Sequence, residues 1–138
     1  MSQPANALPP GAEPTTAQSI LIVDDMMDVR LLLRDALEDM GFENIKECSD
    51  GAEALNQIRA EHFGLIISDW LMPKLDGISL VKFLREKSPH PETPLIMVTS
   101  NGQLEDVMKG IKAGVNDYII KPFEPSTLQT KIHKVLNA

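Results

Sequence analysis

Short apolar runs alternate with longer amphipathic segments along the chain from Ile20 onwards. The first run, Ile20 to Val23, is apolar at every position and rich in β-branched residues, which is typical of a strand buried on both faces of a sheet. The same reasoning predicts further strands over 44–48, 65–69, 95–99 and 117–120. A parallel sheet is therefore the expected centre of the fold.

Each predicted strand is followed by a segment in which apolar residues recur at helical spacing. Gly41 and Gly114 stand where helices commonly end, and Asp50 stands where a side chain commonly caps a helix. Five strand and helix pairs predict an α/β fold with right-handed crossovers and helices on both faces of the sheet. The residues predicted to face inwards are Val29, Leu32, Leu33, Ala36, Leu37, Met40, Leu55, Ile58, Ile78, Val81, Leu84, Leu104, Val107, Met108, Ile111, Leu128, Ile132, Val135 and Leu136.

The composition is that of a soluble globular protein. The chain has 138 residues, of which 43% are hydrophobic and 24% charged. No apolar run approaches the roughly 20 residues that a membrane span requires. The formal net charge of -7 argues against a nucleic-acid surface, which needs a basic stripe. The N-terminus resembles neither a secretory signal nor a transit peptide, so we expect a cytoplasmic protein.

The first residues differ in character from the rest of the chain. Residues 1–17 contain four of the ten prolines and almost no charge. Such a segment cannot bury enough apolar surface to offset the entropy of ordering it. We therefore predict a disordered tail over 1–17 and a single domain over 18–138.

Cysteine and histidine offer no recognisable site in the sequence. Cys48 is the single cysteine and is expected to be a small buried hydrophobe. His62, His90 and His133 fall in predicted loops and helix ends, and their spacing suggests neither metal ligands nor a catalytic base. None of the four is assigned a function.

Polar side chains stand at the carboxyl ends of four predicted strands, where functional groups gather in a doubly wound sheet. Singly, each has an ordinary explanation, such as a helix cap or a solvated charge. Their recurrence from strand to strand indicates a shared site. The residues are Asp24 and Asp25 after the first strand, Asp69 after the third, Thr99 at the end of the fourth and Lys121 after the fifth, with Tyr118 inside the fifth.

Three neighbouring carboxylates raise one another's pKa values unless a cation offsets their charge. Carboxylate oxygens with open water positions suit Mg²⁺, and the sequence contains no zinc or thiolate set. A carboxylate beside Mg²⁺, with a lysine and a hydroxyl nearby, fits phosphoryl transfer to Asp69. The product would be a hydrolysable acyl phosphate, which is a reversible mark.

These residues resemble the signature of bacterial response-regulator receiver domains. The likeness covers about residues 18–138 and is closest to the CheY-like, chemotaxis type. It implies a flavodoxin-like, three-layer α/β/α fold whose five-stranded parallel sheet has the order 2-1-3-4-5. The matching motifs are Val23-Asp24-Asp25, Asp69 with Met72-Pro73 and Asp76-Gly77, Val98-Thr99, and Lys121-Pro122-Phe123.

The resemblance implies a role for each matching position. Asp69 would be the phosphoacceptor, and Lys121 would contact the phosphoryl group. Thr99 would turn towards the phosphoryl group, and Tyr118 would then swing inwards, so that a local charge becomes a surface change. The implied Mg²⁺ ligands are Asp24, acting mainly through water, with Asp25, Asp69 and the backbone carbonyl of Trp70. The bond between Lys121 and Pro122 would be cis.

The implied function is a stand-alone signalling switch rather than an enzyme with its own substrate. A CheA-like histidine kinase would donate the phosphoryl group, and output would pass to a protein such as a flagellar switch component. A phosphatase is a further candidate partner, and the protein is expected to be a monomer. A phosphorelay intermediate, which passes its phosphoryl group to a histidine phosphotransfer protein, is the main alternative.

Two residues near the acceptor depart from the family pattern. Leu71 is apolar where chemotaxis members usually carry a polar residue, and Ser100 stands where alanine or glycine is more usual. With Asn101, both lie near the expected path of attacking water, so a typical lifetime of the phosphorylated state is not carried over. Leu71 also argues against a Mg²⁺-dependent phosphatase, because aspartyl-phosphate hydrolases generally place a second aspartate there.

Overall fold

The computed structural model describes residues 18–137, apart from 73 and 101. The predicted tail over 1–17 lies outside the described residues. The five predicted strand and helix pairs are confirmed. In chain order they are β1 (Ile20–Val23), α1 (Met27–Asp39), β2 (Ile45–Cys48), α2 (Gly51–Ala60), β3 (Leu65–Ser68), α3 (Gly77–Glu86), β4 (Leu95–Thr99), α4 (Leu104–Ala113), β5 (Asp117–Ile120) and α5 (Pro125–Leu136).

The five strands form one parallel sheet in the order β2-β1-β3-β4-β5, which confirms the implied topology. Strand order reverses after β2, so β1 and β3 become neighbours at the centre of the sheet. Val23 pairs with Ser68 across them, and Thr99 pairs with Ile120 across β4 and β5. The residues that follow these strands are thereby brought together at one edge.

Alternate side chains of the central strands feed two separate apolar cores. Ile20 and Ile22 pack into the core covered by α1 and α5. Leu21 and Val23 pack into the opposite core, which α2 and α3 cover. Every residue of β1 is 0% exposed, which confirms the prediction of a strand buried on both faces.

The predicted helix boundaries have the expected local chemistry. The Asp50 carboxylate accepts a hydrogen bond from the backbone N–H of Glu53, and Asp76 caps α3 by accepting from Ser79. Gly41 and Gly114 have φ values of 98° and 115°, in the left-handed region that favours glycine. The sequence signals at Asp50, Gly41 and Gly114 are therefore confirmed.

The predicted inner face of α4 is wrong at Met108 and Ile111, whereas Val107 is half-buried. Met108 and Ile111 are 52% and 58% exposed, although their spacing matches that of a buried stripe. The reason is that α4 packs mainly along α3, so the sheet does not cover this stripe. Leu32 of α1, also predicted to face inwards, is 40% exposed.

Arg85 ties three segments together at the end of the sheet opposite Asp69. Its guanidinium donates to the carbonyl oxygens of Pro91 and Thr93, which belong to the loop before β4. It also donates to the carbonyl of Gly114 and the side chain of Asn116, between α4 and β5. Several hydrogen bonds from one planar group hold these loops in fixed positions.

Cys48 is 2% exposed, as expected for a small buried hydrophobe, and burial raises the pKa of its thiol to about 12. Within the described part of the chain, no helix is long and apolar enough to cross a membrane.

Candidate functional site

The central strands bring the predicted carboxylates to one pocket. Asp24 follows β1 and Asp69 follows β3, and the backbone N–H of Asp69 donates to the Val23 carbonyl at 2.9 Å. One carboxylate oxygen from each of Asp24, Asp25 and Asp69 lies within 4.8 Å of the others. The predicted meeting of three carboxylates at this edge is therefore seen in the structure.

Lys121 enters the same pocket from the end of β5. Its Nζ donates to Asp24 Oδ2 at 2.9 Å and to Asp69 Oδ2 at 3.2 Å. Asp24 is 0% exposed and Asp69 is 8% exposed, so these charges are held away from bulk water. Removing one member of a buried ion pair costs about 3–5 kcal/mol, because it leaves the other charge uncompensated.

The surroundings raise the pKa values of both Asp69 and Lys121. Burial raises the pKa of Asp69, and the charge of Asp24 raises it further, against the lowering effects of Lys121 and the Trp70 N–H. Burial alone would lower the pKa of Lys121, but hydrogen bonds to Asp24 and Asp69 and their charges raise it overall. Lys121 therefore stays charged at neutral pH, and its ionic contacts are lost only as the pH rises through this raised pKa.

Backbone donors fix the two buried carboxylates from the other side. Asp24 Oδ1 accepts from the Met26 N–H at 2.9 Å, and Asp69 Oδ1 accepts from the Trp70 N–H at 2.7 Å. The Arg30 guanidinium also donates to the Asp24 carbonyl at 2.7 Å and thereby ties α1 to the end of β1. Each acid thus presents its Oδ2 to the pocket while its Oδ1 is held by the chain.

The Trp70 carbonyl is engaged elsewhere. It accepts a hydrogen bond from the Gly77 N–H at 2.7 Å, which uses one of its two lone pairs at the start of α3. A Cβ at Gly77 would lie 2.5 Å from the Asp69 carbonyl oxygen, so only glycine allows this close approach. The role predicted for the Trp70 carbonyl as a metal ligand remains a prediction and gains no support from this contact.

Several residues that lie close in sequence to the buried acids and to Thr99 are exposed. Asp25 and Ser100 are exposed, and Leu71, two residues after Asp69, is 67% exposed. Met26 and Met27 are 51% and 64% exposed at the start of α1. The pocket therefore opens to solvent beside apolar as well as charged groups. Pro73 and Asn101, which the sequence motifs include, lie outside the described residues.

Thr99 and Lys121 are held beside each other by the pairing of β4 with β5. Thr99 is 2% exposed, and its carbonyl accepts from the Lys121 N–H at 2.9 Å. The peptide bond between Lys121 and Pro122 is cis, as the resemblance implied. The hydroxyl and the ammonium predicted from separate motifs thus come from adjacent strand ends.

Tyr118 packs against α4 through a gap that Gly110 creates. The Tyr118 hydroxyl is buried without a hydrogen-bond partner among the described groups. A Cβ built on Gly110 would lie 1.6 Å from that oxygen, so no larger residue fits while the ring stays there. Burial raises the pKa of Tyr118, and the charge of Asp106 adds to this effect. The hydroxyl is thus already buried in this structure, and its resting place depends on Gly110.

The donor set of the pocket fits a hard divalent cation. Its three acids offer only oxygen atoms, and two carboxylates against one ammonium leave a net negative charge even before Asp25 is counted. Mg²⁺ prefers oxygen ligands and retains waters that a phosphoryl group can displace. Burial is the main cause of the raised pKa of Asp69, and the neighbouring charge of Asp24 adds to it.

The fold and this pocket define a receiver domain, and comparison with known families agrees. The family model described as the response regulator receiver domain matches residues 20–133, so the chain belongs to this family. Receiver domains are signalling switches rather than enzymes with a separate substrate. The family predicted from the sequence is confirmed.

Within the family, the chain is similar to chemotaxis proteins. The chemotaxis protein CheY-3 of Vibrio cholerae is 38% identical over 116 residues, which cover 84% of this chain and 89% of that protein. The structure of the chemotaxis response regulator CheY4 of Vibrio cholerae has a TM-score of 0.80 and 34% identity, and the match covers 86% of this chain and 98% of that one.

A second solved structure is similar in fold. It is the receiver domain of a sensor histidine kinase from Pseudomonas aeruginosa, with a magnesium ion coordinated in its active site cleft. The TM-score is 0.80 at 27% identity, and the match covers 88% of this chain and 99% of that one.

Sequence reasoning assigned no structural role to three residues that shape the site. Arg30 donates a hydrogen bond to the Asp24 carbonyl at the end of β1. Gly77 leaves space for the Asp69 carbonyl, and Gly110 leaves space for the Tyr118 hydroxyl. Arg30 lies one helical turn into α1 and reads as an ordinary surface charge. Gly77 follows a capping aspartate and could have been questioned on that ground. Gly110 is a glycine inside a helix, which costs stability and therefore signals a packing reason.

Replacing Gly110 with alanine is expected to displace Tyr118 from α4. Because burial is the main cause of its raised pKa, the Tyr118 hydroxyl should then titrate closer to the ordinary tyrosine value of about 10. Tyr118 is the only tyrosine in the sequence, so the pH dependence of tyrosinate absorbance reports it alone.

Lys112→Ala is the matched control, since Lys112 is an exposed residue on the same helix. It should leave the tyrosine titration unchanged. An identical titration curve for Gly110→Ala and the natural chain would show that α4 adjusts instead and that Gly110 does not set the position of Tyr118.

Proposed function

We propose that this chain is a chemotaxis-type response regulator whose output is switched by phosphorylation of Asp69. The observation that carries the proposal is the buried contact of one ammonium, Lys121, with two carboxylates, Asp24 and Asp69. Family membership and the similarity to chemotaxis proteins support the same function. The phosphoryl donor would be a CheA-like histidine kinase. The receiver domain that accepts the phosphoryl group would span residues 18–138.

In the proposed transfer, an Asp69 carboxylate oxygen attacks the phosphorus of a phosphohistidine. The new bond is P–O, and the P–N bond to the imidazole breaks with its electron pair passing to nitrogen, which takes up a proton from water. Lys121 is the residue placed to donate hydrogen bonds to the phosphoryl oxygens. Later hydrolysis breaks the P–O bond to Asp69 and restores the carboxylate with release of phosphate.

Asp24, Asp25 and Asp69 are the residues that would hold Mg²⁺. When bound, the ion would supply positive charge against the negative charge of the phosphoryl oxygens. The proposal rests on the oxygen-only donor set and on the net negative charge of two carboxylates that face one ammonium. It also agrees with the magnesium ion in the cleft of the similar receiver domain.

A carbonyl ligand from the loop after Asp69 needs reassignment in this proposal. The Trp70 carbonyl serves the Gly77 N–H, which lies at the start of α3. The carbonyl of Leu71 is the next in the chain, and its use would leave the contact between Trp70 and Gly77 intact. We therefore favour Leu71 over Trp70 for this position.

The output surface is proposed to be formed by α4, β5 and α5. Its support is a set of apolar side chains that are exposed on α4 and β5. Met108, Ile111 and Ile120 are 52%, 58% and 44% exposed. Thr99 and Tyr118 would connect the phosphoryl group to this surface through β4, β5 and the Gly110 gap. The partner would be a protein such as a flagellar switch component. This chain would bind it as a monomer in the cytoplasm.

The alternatives have less support. A phosphorelay intermediate would use the same pocket, but the similarity to named chemotaxis proteins favours a terminal output. A phosphatase acting on a separate substrate would need a second acid near Asp69. Leu71 occupies the usual position of that acid and is 67% exposed without any ionisable group.

The fluorescence of Trp70 is expected to report occupation of the pocket. Trp70 is the only tryptophan in the sequence, and it follows Asp69 directly. Its backbone N–H donates a hydrogen bond to the Asp69 carboxylate. Its emission should change on addition of Mg²⁺ and change again with beryllofluoride, which mimics an aspartyl phosphate.

Asp69→Asn should abolish the second change while the fold is retained, because the amide is of similar size but lacks the anionic oxygen. Asp35→Asn, on the exposed side of α1, is the control that keeps both changes. Loss of the beryllofluoride response in both variants, or in neither, would contradict the assignment of Asp69.

Mg²⁺ is expected to stabilise the folded chain against heat, because the carboxylate cluster exists only in the folded state. A site that binds only this state gives roughly 2.7 kcal/mol at a hundredfold excess over Kd. Asp25→Asn should lose most of this gain with little effect on the fold, since Asp25 is exposed.

Asp28→Asn is the matched control for that measurement. Asp28 is an exposed acid in the first turn of α1, close in sequence to Asp25 but outside the carboxylate cluster. It should retain the full increase in Tm. Equal melting of the natural chain with and without millimolar Mg²⁺ would rule out the proposed site.

A further inference from the structure

A second group of potential ligands lies at the opposite edge of the sheet from Asp69. His62 precedes β3, while His90 and Glu92 precede β4. Because β3 and β4 are neighbours, the two loops meet although 28 positions separate the histidines. One potential ligand atom from each of the three residues lies within 4.8 Å of the others.

The two imidazoles are in direct contact. Their ring centroids are 3.8 Å apart with an angle of 10° between the planes, so the rings stack. His62 Nε2 also lies 3.9 Å from Glu92 Oε2. Two nitrogen donors and one carboxylate oxygen thus share a small surface region.

The backbone that carries these residues is anchored. Thr93 is 2% exposed, and its hydroxyl donates to the Phe63 carbonyl at 3.4 Å, which joins the two loops directly. Arg85 donates to the Pro91 carbonyl at 2.7 Å and to the Thr93 carbonyl at 2.6 Å, on either side of Glu92. Little loop ordering would therefore oppose the binding of a ligand that bridges these loops.

The chemistry of the set differs from that of the phosphoacceptor pocket. Imidazole nitrogen is a preferred ligand of Zn²⁺ and similar transition metals, whereas Mg²⁺ prefers oxygen alone. Two histidines and one glutamate are a known ligand set for zinc with a fourth position left to water. His62 and Glu92 also line a cleft of about 550 Å³, which has room for that water.

We propose that His62, His90 and Glu92 form a binding site for a transition-metal ion of the Zn²⁺ class. Stacked rings direct their lone pairs in parallel, so binding requires the rings to rotate until those lone pairs converge on the ion. His62 and Glu92 are exposed and have room for this movement. The site is independent of the proposed phosphorylation of Asp69, because it lies at the other end of the strands.

Binding of Zn²⁺ to the full chain tests the proposal. Titration is carried out by calorimetry in excess Mg²⁺, which occupies the carboxylate pocket but competes poorly for imidazole. We expect one Zn²⁺ per chain. His62→Ala, His90→Ala and Glu92→Gln should each weaken binding by about tenfold or more, since even loss of a residue that only supports a ligand can cost that much.

His133→Ala is the matched control, because His133 lies on α5 and belongs neither to the proposed ligand set nor to the lining of that cleft. It should leave the affinity for Zn²⁺ unchanged. Co²⁺ provides a second readout that does not depend on affinity alone, because its visible absorption distinguishes tetrahedral nitrogen coordination from hydrated or carboxylate-bound ion. That spectrum should appear with the natural chain and be lost in His90→Ala.

Three outcomes would overturn the proposal. The first is no Zn²⁺ binding in excess Mg²⁺. The second is binding that His62→Ala and His90→Ala leave unchanged, which would place the ion on other groups. The third is equal weakening by His133→Ala, which would indicate adventitious binding to any histidine. Unchanged melting of the His90→Ala variant without metal would confirm that its loss of binding is not a loss of fold.

Discussion

The contact of Lys121 with Asp24 and Asp69 is the interaction on which the rest of the site depends. It joins the ends of β1, β3 and β5 through one ammonium, at 2.9 and 3.2 Å from the two carboxylate oxygens. Two buried acids so close together would otherwise repel each other or take up a proton. One ammonium does not balance two carboxylates, and the proposed Mg²⁺ would offset the remaining negative charge.

Hydrogen bonds and close backbone contacts around the pocket hold the two buried acids near Lys121. Asp24 and Asp69 each use one oxygen for a backbone N–H, which leaves the other to face Lys121. Gly77 lets α3 begin against the Asp69 loop, and the cis bond before Pro122 directly follows Lys121. Away from the pocket, α4 leaves Met108 and Ile111 exposed, and these residues belong to the proposed output surface.

Much of the fold and the pocket could be predicted because both depend on local patterns. Apolar runs of four or five residues give buried strands, and in a parallel sheet the residues after them meet by topology alone. Contacts that depend on how elements pack could not be predicted. The α4 stripe resembles a buried face until its packing on α3 is known, and nothing in their spacing brings His62 to His90. Gly110 carried a weak signal as a glycine within a helix, but Tyr118 as its reason appears only in three dimensions.

The most direct test of Asp69 as the phosphoacceptor is to locate the phosphoryl group chemically. The chain is treated with acetyl phosphate and Mg²⁺, the acyl phosphate is reduced with borohydride, and the modified residue is identified by mass spectrometry of peptides. We expect Asp69 alone to be converted to homoserine, and we expect Lys121→Ala to lower the yield greatly. Modification of Asp24 or Asp25 instead, or an unmodified Asp69 peptide in the natural chain, would contradict the assignment of Asp69 as the phosphoacceptor.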